Sequence, residues 1–290
     1  MASMREIKRR RSSVQSTQQI TKAMKLISTV KLQKARTRAE NSKAYFECMY
    51  ATVTSMLAKA GNIEHPYLQK SDSKKVGIVV VTSNRGLAGG YNSNIVKLIT
   101  GSGIEKENIR LYTVGHKGAE ALERKGYEIV EDFSDVIEEP SYSDAQAISK
   151  RLLTDFAAGG IGEIYVAYTF FKNTVSHIPT LTKLLPVDTA AIAEEEKEGE
   201  SSVDKLTLMN FEPEEEVAVG LLVPKYMTSI LYGAFVEAVA SENGARMQAM
   251  DSATNNAEEI IEDLALKYNR ARQGAITQEL TEIIAGAEAL

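Results

Sequence analysis

The chain has 290 residues, 43% hydrophobic and 25% charged, with a net charge of −5 and one cysteine. This composition excludes a disordered chain, and the lone Cys48 excludes an internal disulfide framework and fits a reducing compartment. No stretch approaches the ~20 apolar residues of a membrane span, and the length predicts two domains at about 150 residues each.

The N-terminus is basic and serine-bearing. It lacks the apolar core of a signal peptide and runs on into helix without a break, unlike a transit peptide. Residues 1–43 carry twelve Lys/Arg against Glu6 and Glu40, whereas residues 225–290 carry five basic and ten acidic residues. Opposite charge at the two ends favours pairing of the two segments.

From Met1 to Ala60 there is neither proline nor glycine, and from Lys225 to Leu290 no proline. Such runs predict long helices, since these two residues are the usual breakers. Ser3-Met4-Arg5-Glu6 has the spacing of a capping box. Ile7, Val14, Ile20, Met24, Ile27, Val30, Ala35 and Ala39 then form a narrow helical stripe, as in a coiled-coil seam. It widens at Phe46, Met49, Tyr50, Val53, Met56 and Leu57, and the helix ends at Gly61-Asn62 and His65-Pro66.

The β-branched run 76–82 predicts a strand buried on both faces. A glycine loop, Ser83 to Gly90, leads into a helix to Thr100. Strands are expected at 109–114, 127–131 and 163–171, with helices after Gly118 and over 143–157. Strands alternating with helices predict an open, Rossmann-like α/β sheet. Residues 177–187 read as an edge strand because Pro179 and Pro186 interrupt it. Residues 193–202 read as an acidic loop and 206–211 as a final strand. Pro213 with Glu214-Glu215-Glu216 is a good helix start, and Pro224 is expected to kink or restart that helix. Beyond it a second stripe runs through Ile230, Ala234, Phe235, Ala238, Val239, Arg246, Met250, Ala253, Ala257, Ile260, Leu264, Tyr268, Ala271, Ala275 and Leu280. Its alternating steps of four and three imply a left-handed supercoil with a partner helix. The fold expected is a long coiled coil of the two terminal helices, 1–60 and 213–290, plus an α/β domain over 61–212.

Catalytic chemistry is sparse. The strand, glycine loop and helix from Val76 to Thr100 have the layout of a dinucleotide site, but the glycine spacing does not fit G-x-G-x-x-G and no P-loop occurs. A tight turn that needs glycine explains the loop as well. His65, His116 and His177 are far apart in sequence, one cysteine permits no cysteine-based zinc site, and no hydrolase motif occurs. No cofactor or metal is expected. Lys8-Arg9-Arg10-Arg11 would suit nucleic acid, but the negative net charge and the lack of aromatics in the first forty positions favour an acidic protein partner.

The C-terminal segment Ala271-Arg272-Gln273-Gly274-Ala275-Ile276-Thr277-Gln278-Glu279-Leu280-Thr281-Glu282-Ile283-Ile284-Ala285-Gly286-Ala287 closely resembles the signature of the gamma-subunit family of F-type ATP synthases. Ile20-Thr21-Lys22-Ala23-Met24, Asn84-Arg85-Gly86-Leu87-Ala88-Gly89-Gly90 and Ala245-Arg246-Met247-Gln248-Ala249-Met250 agree with it in colinear order. Asn84 and Ala88 stand where the family usually has aspartate and cysteine, and the chloroplast-type cysteine pair is absent. The resemblance implies a non-catalytic central rotating stalk inside a ring of alpha and beta subunits, with the α/β domain beside epsilon and on the membrane c ring. It implies beta contacts at Lys22, Met24, Arg246, Arg272, Gln273 and Thr277, although Met24 suits the seam equally well. It also implies an epsilon and c-ring foot at Phe211 and Glu212, which read alternatively as a plain strand-to-helix junction. The tip from Ile283 to Leu290 would lie in an apolar collar. The rival reading is a nucleotide-dependent α/β enzyme with helical dimerisation arms.

Overall fold

The computed structural model describes residues 4–59, 65–69, 73–187 and 215–288. The chain divides into two compact units, Met1–Thr29 with Arg246–Leu290, and Val30–Ala245. Two long helices contribute to both, α1 (Met4–Lys59) and α5 (Glu215–Glu288).

The first unit is an antiparallel coiled coil. On α1 the shielded positions are Met4, Ile7, Arg11, Val14, Gln18, Thr21, Lys25 and Ser28, with Met24 flanking. On α5 they include Met250, Thr254, Ala257, Ile261, Leu264, Tyr268, Ala271 and Ala275. Both rows step by three and four, the 3.5-residue period of a left-handed supercoil. Thr21 meets Thr254 at 2.8 Å between hydroxyls, and Lys25 meets Asp251 at 2.5 Å. Rising numbers on one helix face falling numbers on the other, which sets the antiparallel sense.

This seam differs from the expected one. Ile20, Ile27 and Val30 are 59%, 58% and 58% exposed, while Thr21 and Ser28 are buried. The reason is the heptad frame. Leu32 and Ala35, both buried, lie in step with Val14, Thr21 and Ser28, so the apolar residues between 20 and 30 fall off the frame and point outward. On α5, likewise, Ile260 is exposed and Ile261 takes the inward position.

The second unit is built on a five-stranded sheet of order β3-β2-β1-β4-β5. Its strands are β1 (Val76–Val81), β2 (Ile109–Val114), β3 (Glu128–Asp132), β4 (Glu163–Phe171) and β5 (His177–Leu185). The first four pair in parallel, and β5 joins β4 antiparallel at the edge, where Pro179 costs no interior ladder bond. Every residue of β1 is buried, as its β-branched run requires. One face packs Ile78 and Val80 against Ile95 and Ile99 of α2 (Tyr91–Thr100) and Leu122 of α3 (His116–Arg124). The other packs Val79 and Val81 with Ile148, Leu152 and Phe156 of α4 (Tyr142–Ala157), with Val53 and Met56 of α1, and with Val219 to Ala238 of α5.

Of the two outcomes expected at Pro224, a kink or a restart, the restart does not occur, and α5 runs through it. Its neighbours Val223, Tyr226, Met227 and Thr228 are buried, and packing of that face outweighs the lost backbone bond. By length and composition α5 also contains a window apolar enough to cross a membrane, but 56% of that window is buried within the protein. The expected capping serine Ser3, the acidic loop 193–202, the strand 206–211, and Phe211 and Glu212 lie outside the described residues.

A polar stripe of α5 faces the β4–β5 hairpin. Ser241 Oγ donates to the Thr169 carbonyl at 2.9 Å. Gly244 admits the His177 ring so closely that a Cβ there would lie 2.7 Å from Cε1. Glu237 Oε2 is buried without a hydrogen-bond partner, and burial alone pushes its carboxyl up to about 7. A carboxyl whose folded pKa is raised gives stability that is complete below its unfolded value and is lost as pH rises through the folded value. Glu237→Gln is therefore expected to stabilise the chain at pH 8 by about 1–3 kcal/mol, discounted for partial exposure, and to leave it little changed near pH 4.5. Urea unfolding at both pH values checks this.

Candidate functional site

The glycine loop opens where β1 ends. The Thr82 hydroxyl donates to the Gly115 carbonyl and accepts from the Gly118 amide, both at 2.9 Å. Gly115, at φ 123°, lies so close that a Cβ would sit 2.1 Å from the Thr82 carbonyl oxygen, a position closed to other residues. The Asn84 amide nitrogen donates to the Ser134 carbonyl at 2.9 Å, and its oxygen accepts from the His116 amide at 3.0 Å. Arg85 pairs with Glu138 at 3.2 Å. These polar groups are engaged with one another, and Gly89 takes φ 57°, so the geometry is that of a latched tight turn. At its tip Leu87 is 63% exposed and held at φ 65°, a conformation costing a bulky residue of order 1–3 kcal/mol.

The residues expected to make contacts lie along the coiled-coil unit and do not converge. Lys22 is exposed and Met24 half-buried, on the level of the Thr21–Thr254 and Lys25–Asp251 contacts. Met24 thus flanks the seam rather than filling it. Arg246 is half-buried. Arg272, Gln273 and Thr277 are exposed, and the Thr277 hydroxyl donates to the Gln273 carbonyl at 2.9 Å. Twenty-six helical residues separate Arg246 from Arg272, about 39 Å at 1.5 Å each. From Ile276 to Ala287 every side chain is exposed, Leu280, Ile283 and Ile284 among them.

Two features escape sequence reading. One is the outward apolar row Ile20, Leu26, Ile27 and Val30. The other is the pair Lys25–Asp251, whose side chains are 226 positions apart in sequence. A single-helix pattern contains no signal for either. The pair is half exposed, and such bridges contribute about 0–1 kcal/mol. Lys25→Asp or Asp251→Lys alone is expected to cost up to about 1 kcal/mol, and the double exchange to recover most of it. Thermal loss of helical circular dichroism across the four proteins measures the coupling.

The ATP synthase family model matches residues 3–290. The ATP synthase gamma chain of Lachnoclostridium phytofermentans is 64% identical over 290 residues, covering 100% of both chains. The sodium ion specific gamma chain of Acetobacterium woodii is 40% identical, over 99% of this chain and 98% of that one. Among solved structures, the central stalk and c ring of the Tetrahymena thermophila mitochondrial ATP synthase matches at TM-score 0.60 and 28% identity, covering 81% of this chain and 99% of that one. A chain of the Euglena gracilis mitochondrial ATP synthase, 20% identical, shares the fold at TM-score 0.70, with 99% and 94% coverage. Full-length identity at this level, on a coiled coil joined to a Rossmann-like sheet, means that the chain belongs to the ATP synthase gamma family, whose members are non-catalytic stalk subunits.

Proposed function

We propose that the chain is the central rotating stalk that couples ion flow through a membrane c ring to ATP synthesis or hydrolysis at beta-subunit sites. The observation that carries this reading is the uneven outer surface of the coiled-coil unit. Apolar Ile20, Leu26 and Ile27 stand on α1, acidic Glu258, Glu259, Glu262 and Asp263 on α5, and cationic Lys22 and Arg272 at separate levels. A rotor biases a nucleotide site only through contacts that differ between its angular positions. A tenfold change in site affinity needs about 1.4 kcal/mol, within reach of one or two charge pairs at a desolvated interface.

In this reading alpha and beta surround the coiled coil, and Lys22, Met24, Arg246, Arg272, Gln273 and Thr277 touch beta. Segments 1–60 and 213–290 form the shaft and 61–212 the α/β body, which meets epsilon and the c ring with Phe211 and Glu212 at its foot. The chain is then peripheral to the membrane through its complex, on the cytoplasmic face of the plasma membrane. Co-expression with alpha and beta subunits tests the proposal. It expects one purified complex with ATPase activity, while the isolated chain binds no nucleotide in titration. A chain that binds nucleotide and does not co-purify is the enzyme of the rival reading.

A further inference from the structure

The mechanism asks that α1 and α5 turn together with the sheet that carries them. Among the described residues, α5 buries Val219, Val223, Met227, Leu231 and Phe235 in the main core, and α1 brings Val53 and Met56. A separate contact joins the two helices at the start of α4. Ser141 and Asp144 form a reciprocal capping box there, with the Ser141 amide donating to Asp144 Oδ2 at 3.0 Å and the Asp144 amide to Ser141 Oγ at 3.2 Å. This fixes Tyr142 at the first position of α4. Its ring meets Tyr45 of α1 edge to face, with centroids 6.4 Å apart at 86°, and Tyr232 of α5 at 5.9 Å and 69°. Arg38 of α1 adds a bond from Nη1 to the Pro140 carbonyl at 3.4 Å.

We propose that Tyr142 is a positioning residue that ties both long helices to the α/β sheet, so that turning force enters α1 and α5 at the same angle. Edge-to-face ring pairs resist rotation of one helix against the other better than sliding apolar contact does, because each is directional. The role in coupling rests on the stalk reading above; the tie between helices does not.

The test uses the lone exposed cysteine, Cys48, one turn beyond Tyr45 on α1. A nitroxide on Cys48 of the full chain reports the freedom of α1. In Tyr142→Leu its correlation time is expected to shorten about twofold or more, and in Tyr142→Phe, which keeps both ring contacts, by much less. In the complex with alpha, beta and the membrane sector, Tyr142→Leu is expected to keep ATP hydrolysis but to lower ions pumped per ATP about twofold or more. Tyr142→Phe restores most of that ratio. Where Tyr142→Leu does not assemble, Tyr45→Leu, which removes the ring contact to α1 and keeps the one to α5, carries both measurements. Unchanged nitroxide mobility in Tyr142→Leu overturns the tie, whatever the chain does in its complex. A loosened α1 with unchanged ions pumped per ATP overturns the role in coupling and leaves the stalk reading to the rotation experiment below.

Discussion

Arg246→Glu with Arg272→Glu is expected to lower ATP-driven ion pumping at least tenfold (~1.4 kcal/mol or more of lost bias) while the complex still assembles. Both side chains sit on α5 of the coiled-coil unit, about 39 Å apart along the helix, so no local collapse links them. Arg272 is exposed and Arg246 half-buried. In the stalk reading the charge reversal acts on contacts with acidic groups of the partner, where a like-charge juxtaposition costs several kcal/mol. ATPase rate, pumping rate and gamma content of the purified complex, measured together, separate coupling from assembly. Wild-type pumping in the double variant would remove both arginines from the proposed contact set.

Phe235→Ala is expected to cost about 3–5 kcal/mol of stability. Phe235 is fully buried at the centre of the α5 seat, in the same core cluster as Val166, Leu231 and Ala238. Truncation removes a large apolar payload and leaves a void that a rigid helix lying on a sheet closes poorly. Urea unfolding of the isolated chain measures the loss. A cost under about 1 kcal/mol would mean that α5 is held elsewhere. Where the variant is too unstable to purify, Phe235→Leu, which keeps most of the volume, is expected to cost less than half as much.

Much of this was legible in the chain. The β-branched run at β1, the proline-marked edge strand β5, and the glycine- and proline-free N-terminal run each follow from the local physics of a few residues. The coiled-coil frame was legible along most of α5 and at Ile7, Val14 and Ala35, but not between residues 20 and 30. α1 carries two interleaved rows with heptad spacing, an apolar one through Ile20, Ile27 and Val30 and a polar one through Thr21, Lys25 and Ser28. Hydrophobicity alone selects the first. The structure selects the second because it continues into Leu32 and Ala35, and because the polar row finds partners on α5 in Thr254 and Asp251. That α5 does not restart at Pro224 has a related reason: helix propensity is local, while the packing that overrides it comes from a sheet far away in sequence. The proposed contacts at Lys22, Arg246 and Arg272 rest on family resemblance alone, since nothing in their spacing distinguishes a contact from a solvated helix face.

Rotation itself is the most direct test. With the alpha–beta ring fixed to a surface and a fluorescent probe attached to Cys48, the sole cysteine and an exposed one, addition of ATP should turn the probe continuously in one direction. A complex that hydrolyses ATP at its full rate while the probe only fluctuates about a fixed angle would contradict the account.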